Sequence, residues 1–133
     1  MSTIELGNET FLQTVLNEGI TIVDFWAEWC GPCRQFGPIF EEASTRHEDI
    51  RFAKVNTELE QQLAGEAGIS SIPTLMAFRD GVLLFNQAGA LPGEALEQLI
   101  AALRAVDMDA VRAEVAKEQE AHQASIDEDS SAN

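Results

Sequence analysis

The chain is 133 residues long, 45% apolar, and carries a formal net charge of −15. That length supports one domain plus at most an appendage, with enough apolar material for an ordinary core. So negative a chain excludes nucleic acid and anionic membrane as partners. No apolar stretch approaches membrane-spanning length. The start, Met1-Ser2-Thr3-Ile4-Glu5, has no basic end followed by a long apolar run, so no secretory signal is expected. The expected location is cytoplasmic, where a persistent structural disulfide is disfavoured and a cycling one is not.

Thr3 to Leu6 reads as a short edge strand. Asn8 is the expected N-cap of a first helix, in which Phe11, Leu12, Val15 and Leu16 recur at helical spacing up to Gly19. Ile20 to Ala27 is a strand whose near-continuous apolar character implies burial on both faces, at the centre of a parallel or mixed sheet. A helix follows Cys30, with Phe36, Ile39, Phe40 and Ala43 on one face. Pro38 is expected to kink it rather than end it. Ile50 to Val55 is the next strand, with Lys54 inside it. Glu58 to Ala67 reads as a helix with Leu59, Leu63 and Ala67 on one side. Thr74 to Phe78 and Val82 to Gln87 form a hairpin around Arg79-Asp80-Gly81, because Asp-Gly tolerates positive φ. After Pro92-Gly93 a last helix of the domain puts Leu96, Leu99, Ile100 and Leu103 on one face. Strand–helix alternation followed by a hairpin implies an α/β fold, a three-layer α/β/α sandwich with a central mixed sheet.

The expected domain boundary falls after Val106, dividing a domain of residues 1–106 from an acidic C-terminal extension, 107–133. The extension holds eight acids and two bases. Asp107 or Asp109 is expected to cap one more helix to about Ala121, with a weak apolar stripe at Val111 and Val115. Ser125 to Asn133 is expected to be disordered.

The chemistry lies in Trp29-Cys30-Gly31-Pro32-Cys33, which holds both cysteines of the chain. A C-x-x-C after a strand and before a helix is the pattern of a dithiol/disulfide redox site. If the helix starts at the first cysteine, Cys30 meets unpaired backbone N–H groups and the positive end of the helix dipole. Both stabilise a thiolate, the attacking species. Cys33 lies one turn further in, on a more buried face. Cys30 is therefore the expected nucleophile and Cys33 the resolving thiol. Pro32 suits the first helical turn, and Gly31 offers no side chain to obstruct a partner sulfur. A structural disulfide is a poorer reading, since so short a loop constrains the unfolded chain little. Zinc would need four ligands, and there is no second Cys pair; His47 and His122 are isolated. No metal site is expected.

Val23-Asp24-Phe25-Trp26-Ala27-Glu28-Trp29-Cys30-Gly31-Pro32-Cys33, then Pro38, Lys54, Ile72-Pro73-Thr74, Asp80-Gly81 and Gly89-Ala90-Leu91 together resemble the thioredoxin family, in order, over about residues 3–106. The resemblance implies a thioredoxin fold and reduction of disulfides in protein substrates. It implies that Asp24, buried in its strand, serves Cys33 as general base and acid through a water. Lys54 resembles the family lysine that pairs with this aspartate and tunes it. Pro73 falls at the position of the family's cis-proline, leaving the backbone of Ile72 free to pair with an extended substrate segment. Trp29, Gly31, Pro32, Ile72, Gly89 and Ala90 would form an apolar patch around Cys30, with Trp26 packed beside Asp24. No bound cofactor is expected; electrons would come from an NADPH-dependent flavoprotein, thioredoxin reductase, to a monomer.

The pattern departs at Ser70 and Ser71, where many relatives carry a basic or glycine residue, and in the extension, which is either a solvated helix or a partner-selection element. Two other functions compete. One is an oxidant or isomerase of the same fold, disfavoured by Gly31-Pro32 and the absent secretion signal. The other is a thiol-independent binding or folding-aid subunit.

Overall fold

A computed structural model describes residues 3–131 of the chain. Strand β2 (Ile20–Trp26) is buried from Ile20 to Phe25, as its unbroken apolar run requires. It pairs in parallel with β3 (Arg51–Asn56) and antiparallel with β4 (Thr74–Arg79). Outside these lie β1 (Thr3–Glu5), parallel to β3, and β5 (Val82–Ala88), antiparallel to β4. The strand order is β1-β3-β2-β4-β5, the expected mixed sheet. At the β4–β5 turn Asp80 and Gly81 take φ values of 52° and 82°, as the Asp-Gly signal predicts.

Strand alternation sorts the core into two clusters. Ile20, Ile22, Phe52, Leu75 and Ala77 face α2 (Gly31–Arg46) and α4 (Gly93–Ala105), which add Phe36, Phe40, Ala43, Leu96, Ile100 and Leu103. Val23, Phe25, Ala53, Val55, Met76 and Phe78 face α1 (Phe11–Val15) and α3 (Gln61–Glu66), which add Phe11, Val15 and Leu63. The result is helices on both faces of one sheet. Helix α2 continues through Pro38.

Two helices are shorter than their apolar spacing predicts. Helix α1 has Thr10 rather than Asn8 at its N-cap position, without a side-chain cap, and it buries Phe11 and Val15 while Leu12 and Leu16 stay exposed. Helix α3 starts at Gln61 rather than Glu58 because the Asn56 side chain competes for the backbone. Asn56 Oδ1 accepts hydrogen bonds from the amides of Glu58 at 2.9 Å and Leu59 at 3.2 Å. The resulting turn throws Leu59 outward, 80% exposed, instead of into the core.

The chain divides into two compact units, Met1–Leu103 and Arg104–Asn133, within three residues of the boundary expected from the sequence. The second unit is built on α5 (Met108–Ser131). Asp107 Oδ1 accepts the amide of Ala110 at 3.1 Å, the side-chain cap expected there. The helix does not end near Ala121. It runs to Ser131, so the segment from Ser125 is helical that far; Ala132 and Asn133 lie outside the described residues. Alanine, glutamate and glutamine favour it, and no Gly or Pro interrupts it. Among the described residues no helix is long and apolar enough to cross a membrane.

Phe40 is fully buried and its ring meets those of Phe36 and Phe52 at centroid distances of 5.6 and 5.2 Å. Phe40→Ala is expected to cost about 3–5 kcal/mol in urea unfolding. Leu59→Ala, at an exposed position, is expected to stay within about 0.5 kcal/mol of the parent chain.

Candidate active site

The site forms where β2 ends and α2 begins. After Trp26 the chain turns through Glu28 and Trp29, and the Cys30 amide donates to Ala27 O at 3.3 Å. Cys30 is the N-cap of α2, in extended conformation at φ −87° and ψ 115°, with Pro32 in the first turn. Its Sγ accepts the amide of Cys33 at 3.2 Å. Sulfur thus occupies the place usually held by a Ser, Thr, Asp or Asn oxygen. Cys30 and Cys33 are joined as a disulfide, with Cα atoms 5.2 Å apart.

Burial does not distinguish the two sulfurs in the way expected. Cys30 is 4% exposed and Cys33 3%. What separates them is position: Cys30 sits at the helix end beside exposed Gly31 and Pro32, and Cys33 lies inside the first turn. A Cβ added to Gly31 would meet nothing within 4 Å, so that edge of the sulfurs is open.

The second wall is the loop before β4. The Ile72–Pro73 bond is cis. Ile72 O lies 3.7 Å from Cys30 Sγ. The loop is held by Thr74 Oγ1, which donates to Ser71 O at 2.6 Å, and by the Gly89 amide, which donates to Pro73 O at 2.8 Å. Gly89 adopts φ 111°, a conformation that suits glycine. Trp29, Cys30, Gly31, Pro32 and Ile72 line one groove. Gly89 and Ala90 are exposed and do not line it. Sequence reasoning missed Thr57, Ala64 and Ile69, which do, and gave Ser70 and Ser71 only as departures. They come from the turn after β3, from α3 and from the loop that follows it, where spacing along the chain gives no signal.

Asp24 has the parity of Ile20 and Ile22, so it emerges on the α2 side of the sheet. It is completely buried, and among the described residues neither carboxylate oxygen has a hydrogen-bond partner. Burial pushes its pKa from the ordinary 3.8 up to about 7; the charge of Lys54 opposes the rise and that of Glu5 adds to it. Lys54 stands directly opposite Asp24 in the β2–β3 register. It makes no hydrogen bond to the carboxylate. Its Nζ lies over the Trp26 ring, 4.3 Å from the centroid, and acts on Asp24 through its field. Trp26 Nε1 is buried, with no hydrogen-bond partner among the described residues. Trp29, 65% exposed, donates from Nε1 to Glu58 Oε1 at 2.8 Å. Glu58 was not predicted. Its signal is the parallel register, which pairs Trp26 with Asn56 and so brings the residues after each strand to the same end.

A cysteine pair at a helix start, open on one edge and backed by a buried acid, exchanges electrons with other thiols and disulfides. The class is therefore thiol–disulfide oxidoreductase. The Thioredoxin family model matches residues 2–102. The protein designated a second thioredoxin of Streptomyces coelicolor is 52% identical over 118 residues, covering 89% of this chain and 88% of that one. Thioredoxin 1 of a Nostoc species is 42% identical over 98 residues, covering 72% and 92%. Among solved structures, the thioredoxin of Malassezia sympodialis (Mala s 13) gives a TM-score of 0.68 at 30% identity, over 76% of this chain and 93% of that one. The chain belongs to the thioredoxin family.

The raised Asp24 pKa has a stability consequence. Between about pH 4 and 7 the folded protein keeps a proton that the unfolded chain has lost, so folding stability falls as pH rises through that window. Above it the full cost remains, on the order of 4 kcal/mol at ~1.4 kcal/mol per pKa unit. Asp24→Asn is expected to stabilise the fold at pH 8, less the cost of a buried amide, and to bring no gain at pH 3. Chemical denaturation at both pH values checks this.

Proposed function

We propose that this oxidoreductase reduces disulfides in protein substrates, with Cys30 as nucleophile and Cys33 as resolving thiol. The observation that carries the reading is Cys30 Sγ at the N-cap of α2, facing Ile72 O beside the cis bond to Pro73. The Cys30 thiolate attacks one sulfur of the substrate disulfide. A Cys30–substrate disulfide forms, and the other substrate sulfur leaves as a thiolate that takes up a proton. Cys33 then loses its proton and attacks Cys30 Sγ. The second substrate thiol is released, and two electrons have passed from the pair to the substrate. Asp24 takes the Cys33 proton, a role supported by a pKa of about 7 on the α2 side of the sheet. Lys54 holds that value down from where burial alone would set it. Trp26 carries the Lys54 ammonium, while Trp29, Gly31, Pro32 and Ile72 receive the substrate chain, with Gly89 and Ala90 at its margin.

The oxidised pair is re-reduced by a thioredoxin reductase using NADPH and flavin. The chain works as a monomer in the cytoplasm, with no cofactor bound during its own step. Residues 1–106 carry the reaction, and residues 107–133 are an acidic extension outside it.

Insulin reduction tests the assignment. Cys30→Ser is expected to abolish turnover. Cys33→Ser is expected to accumulate a mixed disulfide that survives a non-reducing gel and disappears with dithiothreitol. Turnover by Cys30→Ser/Cys33→Ser would overturn the mechanism, whereas partner binding without turnover would favour a folding-aid subunit. Asp24→Asn is expected to slow resolution roughly 100-fold at neutral pH and to remove the rise in rate through pH 7. A reduction potential below that of the glutathione pool is expected; one at the oxidising end would make the protein an oxidant or isomerase.

A further inference from the structure

We propose that the acidic shelf beside Trp29 selects substrates whose reactive disulfide is flanked by Lys or Arg. This rests on the oxidoreductase reading above and names the substrate class it prefers.

Three depressions run side by side from the sulfurs. The disulfide groove shares Trp29 with a second depression that adds Glu28, Asn56, Glu58 and Leu59. That one shares Glu28, Asn56 and Leu59 with a third, which reaches Glu5, Trp26 and Glu60. The surface is continuous with the site where the substrate disulfide must sit. Its exposed apolar side chains are Trp29 at 65% and Leu59 at 80%, the latter the most exposed large apolar residue among those described. Apolar groups left in water beside a reactive groove mark a contact surface.

Charge then chooses the partner. Glu5, Glu28, Glu58 and Glu60 border this surface, and among the described residues no Lys or Arg lines any of the three depressions. Lys54 has its ammonium over the Trp26 ring. A net charge of −15 would repel acidic partners from every side, but it would not favour one edge of the site. The local imbalance does. A segment with an apolar residue against Leu59 and a cation next to its cysteine meets complementary groups, while an acidic flank meets four carboxylates. The shelf is also held in place: Asn56 Oδ1 binds the amides of Glu58 and Leu59, and Glu58 binds the Trp29 indole. Docking therefore costs little loop ordering.

The test uses the full reduced protein and three disulfide-looped peptides of one sequence, differing only in Lys, Ser or Glu beside the cysteines. Single-turnover reduction is followed at low and high ionic strength. The Lys peptide is expected to react about tenfold faster than the Glu peptide at low salt. The ratio is expected to shrink toward one at high salt, where screening shortens to a few ångströms. In Glu28→Lys/Glu60→Lys the low-salt ratio is expected to fall to one or invert. Glu28→Gln, a milder change at an exposed position, is expected to lower it severalfold and keeps the test intact if the double variant fails to fold. A ratio at or below one in the parent protein overturns the proposal, as does a ratio that both variants leave unchanged. Equal reduction of all three peptides removes the docking preference alone. Failure to reduce any of them removes the oxidoreductase mechanism and the preference with it.

Discussion

The hydrogen bond from the Cys33 amide to Cys30 Sγ sits at the junction of sheet and helix, and the rest of the site is arranged around it. A helix start needs an acceptor for its free amides. Here the acceptor is the redox atom, so the same donors that begin α2 will stabilise negative charge on that sulfur once it is reduced. The arrangement requires β2 to stop at Trp26 and the chain to turn within a few residues. It also requires a first turn that tolerates Pro32, and a neighbouring loop that brings Ile72 O close without blocking the open edge at Gly31.

Asp24 shows the opposite economy. A carboxyl group with no partner at the centre of a buried strand weakens the fold, and a hydrophobic residue would serve packing better. The proton transfer proposed for it would give that cost a use near neutrality. Burial sets its affinity for the proton first, and charge adjusts it from a distance, since Lys54 lies over Trp26 and Glu5 acts from β1. A group tuned without a direct hydrogen bond keeps both oxygens available to exchange a proton.

Much of the fold was legible because the sheet alternates cleanly. The run Ile20–Trp26, the Asp80–Gly81 turn and the stripe on α4 each have one reading. The errors came from local hydrogen bonds that periodicity does not register. Asn56 delays α3 and turns Leu59 out of the core, and α1 closes after a single turn with Leu12 and Leu16 left in solvent. The extension misled for another reason: its composition resembles a disordered acidic end, yet alanine-rich spacing without breakers sustains α5. At the site, the position of Cys30 and Cys33 at the start of α2 and the burial of Asp24 within β2 were legible from the strand–helix pattern. Glu58 and Thr57 were not, because parallel pairing of β2 with β3 brings them beside Trp29, and Ala64 and Ile69 reach the groove from α3 and the loop after it.

At the other end of the central strand, the loops before β2 and after β4 are fastened together. The Gly19 amide donates to Asp80 Oδ1 at 2.8 Å, and the Asp80 amide donates to Gly19 O at 2.9 Å. This clasp lies a full strand away from the sulfurs, roughly 20 Å at ~3.3 Å per residue. Reactivity and mechanical closure are therefore housed at opposite ends of one axis. A dye, surface tether or fused partner grafted near the clasp would leave the reactive edge facing freely outward, which makes that end the natural handle for immobilising the protein as a working reductant.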